Sequence, residues 1–168
     1  MSVSMYQASI PGLIRSLESL AAILDKAERY AAERGIEPAA LLGARLAPDM
    51  FPLLRQVQIV SDTAKGCAAR LAGIEVPGYP DDETGFAELR ERLARTAAFL
   101  RGVTPAQLDG SETREVVLKM RSGELTFTGL DYLFQFVLPN FYFHFTTAYD
   151  ILRHNGLAIG KRDYLGQA

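Results

Sequence analysis

The segment between residues 132 and 149 constrains the fold more than any other part of the chain. It holds eight aromatic residues, spread around more than one face of a helix. A helix that is apolar nearly all round is normally buried among its neighbours. The sequence therefore predicts a central helix running from near Thr128 to His154, with Thr128 and Asp131 as its N-terminal cap. Pro139 falls inside this helix and predicts a break or a kink.

Three earlier segments place apolar residues at helical spacing, with charged residues mainly on the other side. Each is followed by a glycine, which is a common residue just after a helix. Pro11 suits the first turn of the first helix. The three predicted helices cover residues 11–34, 51–72 and 84–101. Residues 37–48 are interpreted as a connector, and residues 73–83 as a loop rich in proline, glycine and acidic residues.

The pattern changes between the third and last helices. β-branched and apolar residues alternate in part over residues 113–120 and 124–128. The intervening Arg121-Ser122-Gly123 supplies a glycine for a tight reversal. This pattern predicts a two-stranded hairpin. Because an isolated hairpin is only marginally stable, it is expected to lie against the helices and extend their core.

The chain has the size and composition of one folded domain. It has 168 residues, of which 48% are apolar and 23% are charged. Four helices with mostly short connections favour a bundle with antiparallel neighbours. We therefore predict an all-α fold over residues 1–168, namely a single four-helix bundle with a short β-hairpin between its third and fourth helices.

Charge and cysteine content exclude several classes of protein. Eighteen basic residues stand against 20 acidic ones, and a net charge of −2 offers no field to attract nucleic acid or an anionic membrane. Cys67 is the only cysteine, so no intramolecular disulfide can form and a reducing cytoplasm is expected. Neither a secretory signal pattern nor a long apolar run predicts export or a membrane span. Cys67 itself lies on an apolar stripe and is expected in the core.

Common nucleotide-binding, nucleophile-elbow and paired-cysteine motifs are absent from the sequence. The candidate site is therefore sought among polar residues in apolar surroundings. His144 lies in the aromatic helix, one turn after Asn140. It is either a core histidine bonded to a carbonyl or carboxylate, or part of a pocket in which Gln58 and Asp62 face it from the second helix. In the pocket interpretation His144 and Asp62 are catalytic candidates, and Asn140, Gln58 and Tyr149 are substrate-binding candidates.

Two other polar groups favour structural interpretations. His154 follows Asp150 by four residues in the last turn of the final helix, where the helix dipole and the carboxylate favour a cationic imidazole. The run Arg90-Glu91-Arg92 is expected to form a solvated helix face.

Three stretches carry a family resemblance, namely PNFYFHFTTAYDILRHNG at 139–156, QVQ at 56–58 with DTAK at 62–65, and GKRDYLG at 160–166. Together they resemble an uncharacterised branch, a domain of unknown function, of the DinB/YfiT-like four-helix-bundle superfamily. The resemblance covers nearly the whole chain. It implies an up-down-down-up bundle that is often dimeric, so a homodimer is expected.

The resemblance also bears on metal chemistry. Better-known members of the superfamily bind a divalent metal through three histidines and include thiol-dependent transferases and isomerases. The matching positions here are Asn140 and His144 on the last helix and Gln58 on the second. Neutral amides are poor ligands for zinc or nickel compared with imidazole. No stoichiometric metal cofactor is therefore expected, and His144 is the expected ligand if zinc or nickel binds.

Two functions follow from these residues, and the sequence does not choose between them. The first is a small-molecule binding or interaction module that has lost the three-histidine metal site. The second is a divergent metal- or histidine-dependent transferase or hydrolase that uses His144 in a pocket inside the bundle. Whether the chain is an enzyme therefore stays open at this point.

Overall fold

The protein is described here by a computed structural model that covers residues 3–120 and 123–167. The long helices are α1 (Met5–Arg34), α3 (Leu53–Ala72), α4 (Phe86–Arg101) and α7 (Leu138–His154). The short helices are α2 (Pro38–Leu42), α5 (Pro105–Leu108), α6 (Gly129–Asp131) and α8 (Lys161–Tyr164). Strands β1 (Glu115–Met120) and β2 (Gly123–Thr128) form an antiparallel hairpin between α5 and α6. The predicted four-helix bundle with a short hairpin is confirmed.

The long helices surround one apolar core in the order α1, α4, α3, α7. Helices α3 and α7 are antiparallel, because Gln56 meets His144, whereas Thr63, later in α3, meets Asn140, earlier in α7. Glu83, just before α4, bonds to Gln58 in the second turn of α3. Helices α3 and α4 therefore begin at the same end and run parallel, which gives the up-down-down-up order.

The connection over residues 73–85 accounts for this parallel pair. Helix α3 has 20 residues and is therefore about 30 Å long. An extended connection of this length spans about 40 Å, enough to return to the start of α3. The expectation of antiparallel neighbours is therefore wrong for α3 and α4, whose linking segment crosses the length of the bundle.

Helix α1 begins earlier than predicted. Ser4 caps it by accepting a hydrogen bond from the Gln7 N–H at 3.2 Å, and the Gln7 side chain accepts from the Ser4 N–H at 3.1 Å. This capping box satisfies two N–H groups that a helix end otherwise leaves unpaired. Pro11 consequently lies inside the helix with its ring exposed, and not in the first turn.

The last helical segment contains a π-helical turn. Thr128 caps it as predicted, accepting from the Asp131 N–H at 3.2 Å. The π turn spans Tyr132–Val137 and leads directly into α7, where Pro139 lies in the first turn. Proline lacks an N–H, and its ring crowds the carbonyl four residues earlier in a regular α-helix. The predicted break is therefore a wider turn within a continuous helical course.

The hairpin extends the core as predicted. Val116 and Leu118 of β1 are buried, and Val116 pairs with Phe127 of β2. The Phe127 ring lies 6.2 Å from that of Tyr132. Of the predicted turn, Arg121 and Ser122 lie outside the described residues.

Cys67 is fully buried in the core as predicted, and burial raises the pKa of its thiol to about 12. Within the described ranges, no helix has the length and apolar character needed to cross a membrane.

Candidate functional site

Four polar residues meet between α3 and α7, and we call them the α3–α7 polar cluster: Gln56, Thr63, Asn140 and His144. Gln56 and Thr63 lie seven residues apart on one face of α3, and Asn140 and His144 lie four apart on α7. The Nδ1 atom of His144 lies 2.6 Å from Oε1 of Gln56. Nδ2 of Asn140 donates to Oγ1 of Thr63 at 2.9 Å. Each residue on one helix therefore has a partner on the other.

The hydrogen bonds of Gln56 determine which nitrogen of His144 carries the proton. Nε2 of Gln56 donates to the carbonyl of Phe51 at 2.9 Å, so its Oε1 is the atom that faces the imidazole. Because that oxygen can only accept, Nδ1 of His144 is the donor. In the neutral ring, Nε2 then carries a lone pair.

The lone pair on His144 Nε2 is accessible. The side chain is half-buried, and Nε2 makes no hydrogen bond to any residue in the ranges 3–120 and 123–167. It is also not one of the buried polar atoms without a partner, which among these residues comprise the Ser111 hydroxyl alone. A group outside the protein can therefore reach Nε2.

The surroundings of His144 keep the imidazole neutral. Burial lowers its pKa below the usual 6.5 because it disfavours the charged ring, and the Arg55 guanidinium lowers it further by like-charge repulsion. A carboxylate at the imidazole would have the opposite effect. The structure therefore has the shift expected for a histidine buried without an acidic partner.

Gln58 and Asp62 do not take the places predicted for them. Gln58 donates to Glu83 at 2.8 Å, and Asp62 accepts from Arg92 at 2.8 Å. Both residues point towards α4, so the expectation that they face His144 is wrong. The reason is helical phase, because Gln58 is rotated by about 200° from Gln56 around the axis of α3.

Tyr149 also lies away from the α3–α7 polar cluster. Its hydroxyl donates to the carbonyl of Ile159 at 3.4 Å, and its ring meets that of Tyr164 edge-on at 5.8 Å. Tyr149 therefore holds the C-terminal segment against the bundle. His154 is exposed at the end of α7.

The sequence interpretation missed Gln56 and Thr63. The signal for them is the seven-residue spacing, which matches two turns of α3 and selects the face that meets α7. Gln56 is also the other glutamine of the QVQ motif, two residues before Gln58. Choosing between the two glutamines requires the rotation of α3 about its axis, which a single sequence does not specify.

A second polar group, which we call the Arg92 network, joins α3, α4 and the crossing loop. Arg92 is only 1% exposed, so the predicted solvated face is wrong for this residue, although Glu91 is exposed as expected. Arg92 lies three residues after Leu89 and four before Thr96, both fully buried, and it therefore shares their face. Its side-chain partners are Glu83 and Asp62 at 2.8 Å, the Pro80 carbonyl at 2.9 Å, Asp81 at 3.0 Å and Ser61 at 3.2 Å.

Within the Arg92 network, Glu83 remains ionised despite its burial. Burial raises the pKa of its carboxyl, but hydrogen bonds from Arg92 and Gln58 outweigh that effect and hold the pKa below the usual 4.5. The ring of Tyr79 packs under the Arg95 guanidinium, 3.8 Å from ring centroid to cation. The network thus fastens the loop to the bundle and has a structural role.

The α3–α7 polar cluster does not fit a zinc or nickel site. It offers one imidazole, two amides and a hydroxyl, whereas these metals favour several nitrogen, sulfur or carboxylate ligands. Nδ1 of His144 is also already committed to Gln56. Among the described residues, no group of three or more His, Cys, Asp or Glu residues is arranged to hold a metal ion.

Comparison with known proteins places the chain in a family. A family described as a domain of unknown function, DUF1993, matches residues 5–165. The chain belongs to the DUF1993 family. The crystal structure of a DinB family member protein from Shewanella denitrificans is 42% identical, covers 96% of this chain and 92% of its own, and superposes with a TM-score of 0.90. No curated protein matches this DUF1993 chain. The DinB-like resemblance seen in the sequence is confirmed.

Proposed function

We propose that this DUF1993 protein is a metal-free module that binds a small organic molecule at the α3–α7 polar cluster. The observation that carries the proposal is the accessible lone pair on Nε2 of His144, which Gln56 orients through Nδ1. Binding sites commonly combine apolar walls with a few polar groups held in fixed positions. The aromatic residues of α7 supply the apolar surroundings, and Phe143 packs edge-on at 5.1 Å from the His144 ring.

The hydrogen-bond pattern of the cluster favours a ligand that donates. Nε2 of His144 accepts, and Asn140 uses its Nδ2 on Thr63, which leaves Oδ1 of Asn140 as a second acceptor. The nearby positive charge of Arg55 disfavours a cationic ligand. The preferred ligand class is therefore a neutral molecule with hydroxyl or amide N–H groups, such as a diol or a primary amide.

The binding proposal is tested by ligand-observed NMR with a panel of neutral diols and primary amides. We expect saturable binding that is lost in His144→Ala and kept in His154→Ala, a matched control because His154 is exposed on the same helix. A panel without any binder, or binders that are retained equally by both variants, would contradict the proposal.

The absence of a metal requirement is a separate part of the proposal. It rests on the groups of the α3–α7 polar cluster, which offers one imidazole beside two amides and a hydroxyl, and the amides and the hydroxyl are poor ligands for zinc or nickel compared with imidazole. Elemental analysis of protein purified without chelators or an affinity tag should find far less than one zinc or nickel ion per chain. About one tightly bound ion per chain, lost in His144→Ala, would refute this part.

The Nδ1-protonated form of His144 also favours a second candidate function. A neutral imidazole with a free Nε2 is the form in which histidine acts as a general base. Gln56 then orients the imidazole, whereas Asp62, the other predicted catalytic residue, pairs with Arg92 instead. A divergent transferase or hydrolase would show His144-dependent turnover of an activated ester such as 4-nitrophenyl acetate. Equal rates for the original protein and His144→Ala would exclude this candidate for that ester.

We further propose that the protein is a cytoplasmic homodimer. The dimer is supported by exposed aromatic rings on the last helical segment, where Phe134 is 51% and Phe143 is 55% exposed. Aromatic residues are enriched in protein–protein interfaces relative to the rest of the surface. The cytoplasmic location is supported by the single free cysteine, which suits a reducing compartment.

A further inference from the structure

The C-terminal segment packs as a fixed wall across α1 and α7. Asp163 forms an ion pair with Lys26 of α1. The Tyr164 ring stacks on Phe145 of α7, with centroids 4.3 Å apart, and its hydroxyl bonds to Thr146 at 2.9 Å. These contacts hold both sides of α8. They give a structural role to the GKRDYLG motif, which the proposed site does not use.

Gly166 brings the end of this wall directly onto α1. Its φ is +68°, a conformation that L side chains rarely adopt. A Cβ at this position would lie 2.7 Å from Oγ of Ser19, which is too close. The N–H of Gln167 donates to the carbonyl of Arg162 at 2.9 Å and closes the turn. Contacts within the chain therefore hold the wall in place.

A cavity of about 340 Å³ lies between this wall, α1 and α7. Small-molecule sites begin at about 300 Å³, so the volume suits a compact ligand. Ser16 forms part of its floor and is 8% exposed. The apolar part of the lining comes from the rings of Tyr142 and Tyr164 and from Leu165.

Among the residues that the structure describes, Arg15 is the one charged residue that lines this cavity. Its guanidinium makes no ion pair or hydrogen bond with any residue of the described ranges. The hydroxyls of Ser16 and Tyr142 also have no hydrogen-bond partner among those residues. A guanidinium binds a carboxylate through two parallel N–H groups, and neighbouring hydroxyls add further donors. The polar end of the cavity therefore suits an anion.

We propose that this cavity binds a small organic carboxylate. The carboxylate lies on Arg15, and the apolar body of the ligand packs against Tyr142, Tyr164 and Leu165. The site is separate from the α3–α7 polar cluster. Tyr142 and His144 are two residues apart on α7, so their side chains are rotated by about 200° from each other around the helix axis and lie on different faces. The proposal therefore goes beyond the function proposed above.

Benzoate is the probe that tests the proposal, with benzamide as a neutral molecule of the same shape. We expect saturable shifts of backbone amide signals around the cavity when benzoate is titrated in an NMR experiment. Benzamide should bind at least about tenfold more weakly, and Arg15→Gln should weaken benzoate binding by a similar factor. Arg34→Gln is the matched control, since Arg34 is on the same helix about 28 Å away.

Four results would overturn the proposal. These are no benzoate binding at millimolar concentration, equal binding of benzoate and benzamide, full binding by Arg15→Gln, and displacement of benzoate by equally dilute inorganic phosphate. The last result would show an anion site without preference for an organic ligand. Because Arg15 is exposed, its variant should keep the thermal stability of the original protein. His144→Ala should keep benzoate binding, which separates this test from that of the α3–α7 polar cluster.

Discussion

Replacing Arg92 with methionine should destabilise the protein far more than its place in a charged run suggests. The variant keeps an unbranched apolar side chain but removes the guanidinium, which is the ion-pair partner of Glu83 at 2.8 Å. The Glu83 side chain is only 6% exposed. In the variant its carboxylate remains buried with Gln58 as its remaining hydrogen-bond partner from α3.

The structure sets the expected magnitude. Breaking a buried ion pair by removing one partner costs about 3–5 kcal/mol, because the other charge stays buried. The Asp62 and Asp81 side chains are 36% and 42% exposed. Solvent screens such pairs, so each adds at most about 1 kcal/mol. The expected loss in the free energy of unfolding is therefore about 3–5 kcal/mol, with Glu83 as its main source, against a total of about 5–15 kcal/mol for a typical domain.

Urea denaturation followed by circular dichroism measures this loss. Arg90→Met is the matched control on the same helix, because the Arg90 side chain is 28% exposed and pairs with Asp25 and Glu28, whose side chains are 43% and 41% exposed. It should lose about 1 kcal/mol or less. The double variant Arg92→Met with Glu83→Gln should recover stability relative to Arg92→Met alone, since no buried charge remains.

The pH dependence supplies a further check on Glu83. The pKa of Glu83 in the folded protein is below the usual 4.5. Its contribution to the free energy of unfolding is therefore present above pH 4.5 and is lost as the pH falls through the folded pKa. The loss in the free energy of unfolding caused by Arg92→Met should therefore be smaller in acid. Equal losses for Arg92→Met and Arg90→Met, or no recovery in the double variant, would refute this account of the Arg92 network.

The remaining predictions concern single side chains. His144 should titrate in an NMR experiment with a pKa below 6.5, and Asp62→Asn should leave that pKa unchanged. The free energy of unfolding should fall as the pH drops below 6.5, because the imidazole takes up a proton more readily in the unfolded chain. A raised pKa that depends on Asp62 would contradict this prediction. Cys67 should react with a disulfide reagent only on unfolding, since its thiol is buried and its pKa is raised to about 12; rapid reaction of the folded protein would show otherwise. Light scattering should give a dimer mass that Phe143→Ser shifts towards the monomer, and a strictly monomeric mass across the micromolar range would exclude the dimer.

Much of the fold was predictable because helical periodicity is a strong local signal. Apolar spacing located the four long helices, and Gly73 is the observed C-terminal cap of α3. Helix α1 was placed too late because Pro11 resembled a first-turn residue, whereas the capping box at Ser4 satisfies the true start. The parallel course of α3 and α4 was implied only by the family resemblance, because it depends on the path of the loop, which local patterns do not encode.

The candidate site was only partly predictable. His144 and Asn140 were identified because polar residues on an apolar helix need partners, and both have them. Their partners were misassigned because the rotation of α3 decides between Gln56 and Gln58. The burial of Arg92 was missed because neighbouring charges suggested a solvated face, although its spacing from Leu89 indicated the opposite.

The π turn at Tyr132–Val137 divides the last helical segment into two parts. The side chains of the second part are rotated about the helix axis relative to those of the first. A π turn equals one residue inserted into an α-helix, so it offsets everything after it by about 100°. At the start of the π turn, the Tyr132 hydroxyl accepts a hydrogen bond from Arg70 near the end of α3. After it, Asn140 and His144 meet α3 nearer its start. A homologue lacking one residue of this turn would keep the contact between Tyr132 and Arg70, but its Asn140 and His144 side chains would be rotated away from α3. A gap at the π turn in an alignment therefore marks loss of the α3–α7 polar cluster, even where Asn140 and His144 are retained.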